Sequence, residues 1–425
     1  MDIEIYQNLW CKESLYICPS WANFRDVISS YESFEHMELC KNYNTSVYNY
    51  TNLPLGRTCN NEIHTIFGRK IKKIMEQKSK VSIIVGCYNV SKWLRMGRLN
   101  DIYNQTYRNW ELILVDDGST DETPTLLDTE AEKDSRIRVI HKENGGLGSA
   151  RNVGLDVASG DYIWSFDVDD RVEPNCIEYC VTTAEENDYD VVMFGFYVET
   201  PSLGTKEVVR LTETVINSNT ELSRVYLDRI LFVPNGNGFF WNKFYKRSFL
   251  EKYKLRFENQ RIQQDEVFNL KVYHYLDKAY VSSDVLYTYY IYNNGNTRSR
   301  FIPNRFDIYK SVRHHFDDLK DFWNLEDHRL DDYLNKRFYQ SVMACLLFNL
   351  THPKSTFTKQ QAKVEINRVM DDPLTIEAFD YARNNITGIE QRLYRKACKS
   401  RSLLQIRILT GLFSSLRKVH NLLKR

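Results

Sequence analysis

Leu112-Ile113-Leu114-Val115-Asp116-Asp117-Gly118-Ser119-Thr120-Asp121 and, farther along, Tyr162-Ile163-Trp164-Ser165-Phe166-Asp167-Val168-Asp169-Asp170 decide the reading of this chain. Each is a short apolar run that ends in a cluster of carboxylates. In an open parallel sheet, ligands bind outside the carboxyl ends of the strands. The first stretch therefore predicts a nucleotide site and the second a metal site.

Outward from these stretches the pattern is regular. Val81 to Val85, Leu112 to Val115, Ile137 to Ile140 and Tyr162 to Phe166 read as strands. Helical stretches fall between them at Ser91 to Gln105, Glu122 to Lys133 and Leu147 to Ala158. Strands alternating with helices predict an α/β fold, a mostly parallel sheet covered on both faces. After Val191-Val192-Met193-Phe194 the alternation fades into aromatic segments, Phe239-Phe240-Trp241 and Tyr287-Thr288-Tyr289-Tyr290, expected to shape the pocket of a second substrate. The division expected is an N-terminal extension of unassigned role over 1–79, a main domain over 80–300, a helical region over 301–390 and a basic amphipathic tail over 391–425. In the helical region Tyr339, Val342, Met343 and Leu346 recur at helical spacing and read as core.

Composition narrows the function classes. The chain has 425 residues, 42% hydrophobic and 27% charged, as an ordinary globular protein does. Its formal charge is +1, but 391–425 holds ten Lys and Arg and no acid, so the rest carries −9. That balance argues against nucleic acid as a partner of the body. Nine scattered cysteines without a Cys-x-x-Cys pair read as free thiols in a reducing compartment, with Cys176 and Cys180 at helical spacing as packing. Met1-Asp2-Ile3-Glu4-Ile5 lacks the form of a signal peptide, and no apolar stretch approaches a membrane span. The expectation is a cytoplasmic protein.

Carboxylates at i and i+2 leaving a strand, Asp167 and Asp169, can converge on one hard cation, Mn2+ or Mg2+, whose shell substrate phosphates would complete. Read alone, the same tetrapeptide is a solvated acidic turn. Asp117 can accept the imide hydrogen of uracil, while Ser119, Thr120 and Asp121 can cap the next helix. Asn144-Gly145-Gly146-Leu147-Gly148-Ser149-Ala150-Arg151-Asn152 invites a dinucleotide fingerprint, but its third glycine falls on Arg151. Small residues and amides before a helix, with a guanidinium beside them, still suit a diphosphate. In Arg261-Ile262-Gln263-Gln264-Asp265-Glu266, Asp265 has two readings, a helix cap and a general base for an acceptor hydroxyl.

Taken in order, these segments resemble the family 2 glycosyltransferases of the GT-A fold, especially bacterial enzymes that build capsules, exopolysaccharides and lipopolysaccharides. The resemblance runs over about residues 80 to 300 and rests on Val81 to Asn89, Asn104-Gln105-Thr106-Tyr107, Val115 to Asp121, Glu143 to Gly146 with Ala150-Arg151-Asn152, Asp167 to Asp170, Trp241-Asn242-Lys243 and Asp265-Glu266. It implies a Rossmann-like sheet and the inverting, metal-dependent transfer of a sugar from a UDP-sugar to a glycan or polyprenyl-diphosphate-linked glycan. Gly86, Cys87, Tyr88 and Asp117 would hold the uracil, and Asp116 would support that turn. Asp167 would sit near ribose and metal, and Asp169 would be the principal metal ligand. Arg151 and Lys243 would offset diphosphate charge, and Asp265 would be the catalytic base. Trp241, Asn242, Gln264 and Glu266 would border the acceptor, with Trp241 open to both sugar stacking and core packing. Gly86 stands where family members often carry Pro, and Gln264 where an acid commonly precedes the catalytic Asp. A second reading is therefore a non-catalytic, nucleotide-sugar-binding partner of another transferase. A nucleotidyltransferase would need an Arg- and Lys-bearing glycine loop near the N-terminus, and none is present.

In the tail, Leu409, Leu412, Leu416, Val419 and Leu423 recur at four and three residues, with Arg417, Lys418, Lys424 and Arg425 among them. This spacing predicts a helix over 403–425 that contacts the inner face of a plasma membrane peripherally, or else packs on its own domain or in a homo-oligomer.

Overall fold

The computed structural model describes residues 79–233, 238–292 and 300–423, of which 417–423 as backbone alone; the N-terminal block assigned to 1–79 falls outside them but for Ser79. In chain order the elements are β1 (Val81–Cys87), α1 (Ser91–Arg95), α2 (Asn100–Tyr103), β2 (Trp110–Asp116), α3 (Thr123–Lys133), β3 (Ile137–His141), α4 (Leu147–Val157), β4 (Tyr162–Ser165), β5 (Arg171–Val172) and α5 (Cys176–Asn187). There follow β6 (Val191–Thr200), β7 (Thr205–Val209), β8 (Thr214–Ile216), α6 (Asn219–Tyr226), β9 (Lys243–Lys246), α7 (Arg247–Lys252), α8 (Gln264–Tyr275) and β10 (Ala279–Tyr290). Helices α9 (Arg305–Phe322), α10 (His328–Met343), α11 (Lys359–Met370), α12 (Pro373–Asn385), α13 (Ile389–Lys399) and α14 (Leu403–Leu423) complete the chain.

The strands form one sheet in the order β3-β2-β1-β4-β9-β6-β10-β5, with β7 paired to β6 and β8 to β10. β3, β2, β1 and β4 are parallel. β9 runs against both β4 and β6, and β10 runs parallel to β6. The expected mostly parallel sheet is present, with β9 reversed at its centre and β5, β7 and β8 antiparallel to their partners. β1 and β2 are near-continuous apolar runs, as strands covered by helices are, and Ser82 of β1 donates its hydroxyl to Glu111 of β2. Helix α4 lies close on β1 because Gly154 has no side chain: a Cβ there would come within 2.4 Å of Ile84.

One expected helix is broken. Ser91 to Gln105 divides into α1 and α2 around Gly97, whose φ of +68° lies in the left-handed region that ends helices. The break carries Arg98 out of the helical path. Cys176 and Cys180 are buried on one face of α5, as packing residues.

The C-terminal helices have a second core, in which Tyr339, Val342, Met343 and Leu346 meet Ile366, Val369, Phe379, Tyr394 and Ile406. The tail helix α14 departs from its expected face. Leu409 and Phe413 turn toward this core, and the row left outside is Leu404, Ile408, Leu412 and Leu416, at 68%, 58%, 51% and 53% exposure. Val419 and Leu423 lie outside the described side chains. No helix among the described residues is long and apolar enough to cross a membrane.

Candidate active site

The parallel pairing puts the ends of β1, β2 and β4 side by side: Cys87 is the partner of Asp116, and Phe166 donates its amide to the Ile84 carbonyl. The segments singled out above therefore converge on one edge of the sheet.

At the end of β2 the carboxylates are satisfied by the protein itself. Asp117 accepts from Lys142 Nζ at 2.7 Å and from the Gly145 and Gly146 amides at 2.8 and 2.6 Å, while its own amide donates to the Cys87 carbonyl. Gly118 makes this turn possible, with φ of +71° and the Asn144 amide 2.8 Å from where a Cβ would stand. Asp117 was expected to meet a uracil imide; it is 3% exposed and three of its roughly four acceptor positions are taken, so an imide has about one left. Asp116 accepts from the Ser119 amide and from His141 Nδ1, both at 3.0 Å, and His141 Nε2 lies 3.1 Å from Asp128. Burial would raise the Asp116 carboxyl, but Ser119 and His141 outweigh it and hold it below the ordinary carboxylate value. The hydrogen bonds to Asp116 and Asp128 raise His141, because only the imidazolium donates from both ring nitrogens.

The β1 residues contribute mainly backbone. Gly86 lies within the strand, not a loop, and a Cβ on it would come within 2.7 Å of Leu147. Cys87 is buried with its Sγ toward the Val85 carbonyl, whereas Tyr88 is 40% exposed and is the one of the three open to a ligand.

The cluster after β4 is different. Asp170 is buried and committed, accepting from Tyr287 Oη and the Tyr290 amide, each at 2.9 Å. Burial, with Asp169 and Asp167 alongside, pushes it well above the ordinary value. Asp169 has no ion pair among the described residues. Burial and then Asp167 push it up to about 6, against a weaker pull from Arg98. A carboxylate without a counter-ion beside a second acid fits a divalent cation, and Asp169 with Asp167 would hold Mn2+ or Mg2+.

Arg151, from the middle of α4, is fully buried. Its Nη2 donates to Asp167 at 3.0 Å and its Nη1 to Asp265 at 2.5 Å. One guanidinium thus ties the acid after β4 to the acid at the start of α8. Arg151 was expected to offset diphosphate charge; here both of its terminal nitrogens are in ion pairs with carboxylates. Lys243 is likewise buried, donating to the Phe239 carbonyl and Asn242 Oδ1 at 2.8 and 2.9 Å. Burial, opposed by Asp265, pulls its amine down to about 7, which is unlike a group that faces phosphate from water.

Asp265 does not cap its helix. The cap position is Gln263, left-handed at φ +57°, and the second Asp265 oxygen accepts from the Phe240 amide at 3.1 Å. Its side chain keeps 18% exposure, so the carboxylate is oriented yet reachable. The other acceptor-side expectations are corrected. Trp241 is 1% exposed and stacked on Tyr287 at 4.3 Å and Phe239 at 4.7 Å, so it is core and cannot stack on a sugar. Asn242 is buried against the Phe194 carbonyl. Glu266 pairs through both oxygens with Arg337 of α10. Gln264 remains at the helix start, its Oε1 buried without a partner among the described residues.

Residues 82–254 match the model of glycosyl transferase family 2. The putative glycosyltransferase EpsH of Bacillus subtilis is 32% identical over 216 residues, 50% of this chain and 61% of that protein. Glycosyltransferase GlyG of Streptococcus pneumoniae is 44% identical over 118 residues, 28% of this chain and 39% of that protein. The chain spans less than two thirds of these curated relatives. Among solved structures, S. aureus TarS 1-349 in complex with UDP-GlcNAc has a TM-score of 0.52 at 20% identity, covering 79% of this chain and 92% of that one, which is a likeness of fold. The acidic strand ends and Arg151 lie within the matched stretch, and residues 82–254 of this chain form a glycosyl transferase family 2 domain.

Proposed function

We propose that this chain is an inverting, metal-dependent glycosyltransferase. It moves a sugar from a UDP-sugar to a hydroxyl of a glycan or lipid-linked glycan in bacterial surface polysaccharide synthesis. The observation that carries the reading is the Asp167–Arg151–Asp265 bridge, which fixes a donor-side acid and a reachable carboxylate around one buried cation. S. aureus TarS, similar in fold, forms complexes with UDP-GlcNAc and with UDP, which supports a uridine donor.

Asp265 takes the proton of the acceptor hydroxyl through a lone pair not used by Arg151 or Phe240. The acceptor oxygen forms its bond to the anomeric carbon as the bond to the diphosphate oxygen breaks, and UDP leaves with the electron pair on the opposite face. Arg151 keeps Asp265 aimed. Asp169 and Asp167 would hold a divalent ion, which would supply neutralisation of the departing diphosphate.

The outward row of α14, Leu404, Ile408, Leu412 and Leu416, lies in a segment without acids and supports peripheral contact with an anionic membrane where lipid-linked acceptors reside.

Calorimetric titration with UDP, with Mn2+ and with chelator, followed by a donor screen, tests the proposal. Metal-promoted UDP binding in the wild type, lost in Asp169→Asn and kept in Asp265→Asn, is expected. Absence of UDP binding in every condition would move the donor assignment to another nucleotide. A chain that binds UDP-sugar but transfers nothing, with Gln264 in place of an acid, would be a partner subunit instead.

A further inference from the structure

The cations nearest the acidic cluster are nearly all committed. Arg151 is paired with Asp167 and Asp265, Lys243 is buried among carbonyl oxygens, and Arg171 is paired with Asp101 at 2.6 Å. Arg98 is different. Among the described residues its guanidinium makes no ion pair, and its Nε is buried without a hydrogen-bond partner. Its guanidinium carbon lies 5.6 Å from the ring centre of Trp93 and 5.5 Å from that of Tyr290. Trp93 packs on Tyr292 at 4.8 Å, and Tyr292 Oη donates to the Asp169 carbonyl at 3.4 Å. On the other side, Asp101 of α2 accepts from the Val172 amide and from Arg171, the residue after Asp170. Two independent contacts thus anchor the segment around Arg98 to the backbone of the acidic cluster. The left-handed Gly97 places Arg98 there by breaking the helix. Aromatic faces hold a guanidinium by its plane and leave its N–H edge for an anion.

We propose that Arg98 binds the diphosphate of the nucleotide-sugar donor beside Asp169. This rests on the nucleotide-sugar reading above and adds a residue to it. The guanidinium fork suits two phosphate oxygens, and its charge shares with a metal ion the neutralisation of the leaving group.

The test is calorimetry at saturating Mn2+ on the full chain, with wild type, Arg98→Gln and Arg98→Lys, using UDP and uridine as probes. In Arg98→Gln, UDP affinity should fall about ten- to a hundredfold while uridine affinity stays unchanged. Arg98→Lys should recover part of the UDP affinity, and its unchanged melting temperature shows that the site is folded. UDP affinity equal to wild type in Arg98→Gln would overturn the assignment, as would an equal loss for UDP and uridine, which marks a packing role. Should the wild type bind uridine and UDP equally well, no diphosphate contact exists and the assignment falls while the nucleoside site stands. Should it bind neither, the donor reading itself falls and takes Arg98 with it.

Discussion

The two acidic strand ends look alike in sequence and differ in state. After β2, Asp116 and Asp117 are met by His141, Lys142 and three backbone amides, so their charge is matched within the protein. After β4, Asp169 has no paired cation among the described residues, and Asp167 has half of Arg151. The first cluster is a finished piece of architecture. The second keeps a carboxyl raised by burial and a neighbouring acid, the pattern that distinguishes a candidate binding site from a turn made of the same residues.

That contrast is most exposed to attack at the bridge between donor side and acceptor side. Asp265→Asn should lower turnover by about a hundred- to ten-thousandfold while UDP still binds, as measured by product formation and calorimetry. Replacing Arg151 with Met should leave the partly buried Asp167 and Asp265 without their counter-charge and cost about 2–3 kcal/mol of stability in denaturant unfolding.

The strand ends themselves should respond with opposite signs. Asp117→Asn loses the Lys142 pair and should destabilise by about 1.5–3 kcal/mol. Asp169→Asn should stabilise the metal-free protein at neutral pH, by something on the order of 1 kcal/mol. The sign follows from its carboxyl: at about 6 in the folded chain against 3.8 ordinarily, it holds its proton longer when folded, so stability falls as pH rises from 3.8 through 6. A destabilised Asp169→Asn in chelator would end the comparison. The smallest effect belongs to His141. Its pKa is raised, so its contribution is full below 6.5 and lost as pH climbs through the folded value; His141→Gln should remove that alkaline decline by a few tenths of a kcal/mol.

The legible part of the molecule was its local part. Apolar runs such as Ile83-Ile84-Val85 read as strands because both faces of a covered sheet select the same residues, and carboxylates at their ends read as a site because strand ends face ligand. Pairing between distant residues left no such mark. Arg151 and Asp265 are 114 positions apart, and nothing in the Gly145 to Asn152 loop says that its guanidinium turns inward rather than toward phosphate. Lys142 and His141 escaped notice because a residue following a strand has no periodic signature. Trp241 and Lys243 looked like site residues and are buried: Lys243 opens the reversed strand β9 at the centre of the sheet, and Trp241, just before it, stacks on Tyr287 and Phe239. Gly97 was readable in principle as a helix breaker, and its neglect hid Arg98.

The Glu266–Arg337 pair has a practical consequence for anyone who would shorten this protein. Glu266 stands next to Asp265 at the start of α8, and its partner comes from α10, well past the 82–254 stretch that matches the family. Trimming the chain at about residue 300 would retain every residue assigned to chemistry, yet it would uncouple the base from the helices that brace it. A chain cut there would keep Glu266 and lose the Arg337 that both of its carboxylate oxygens meet.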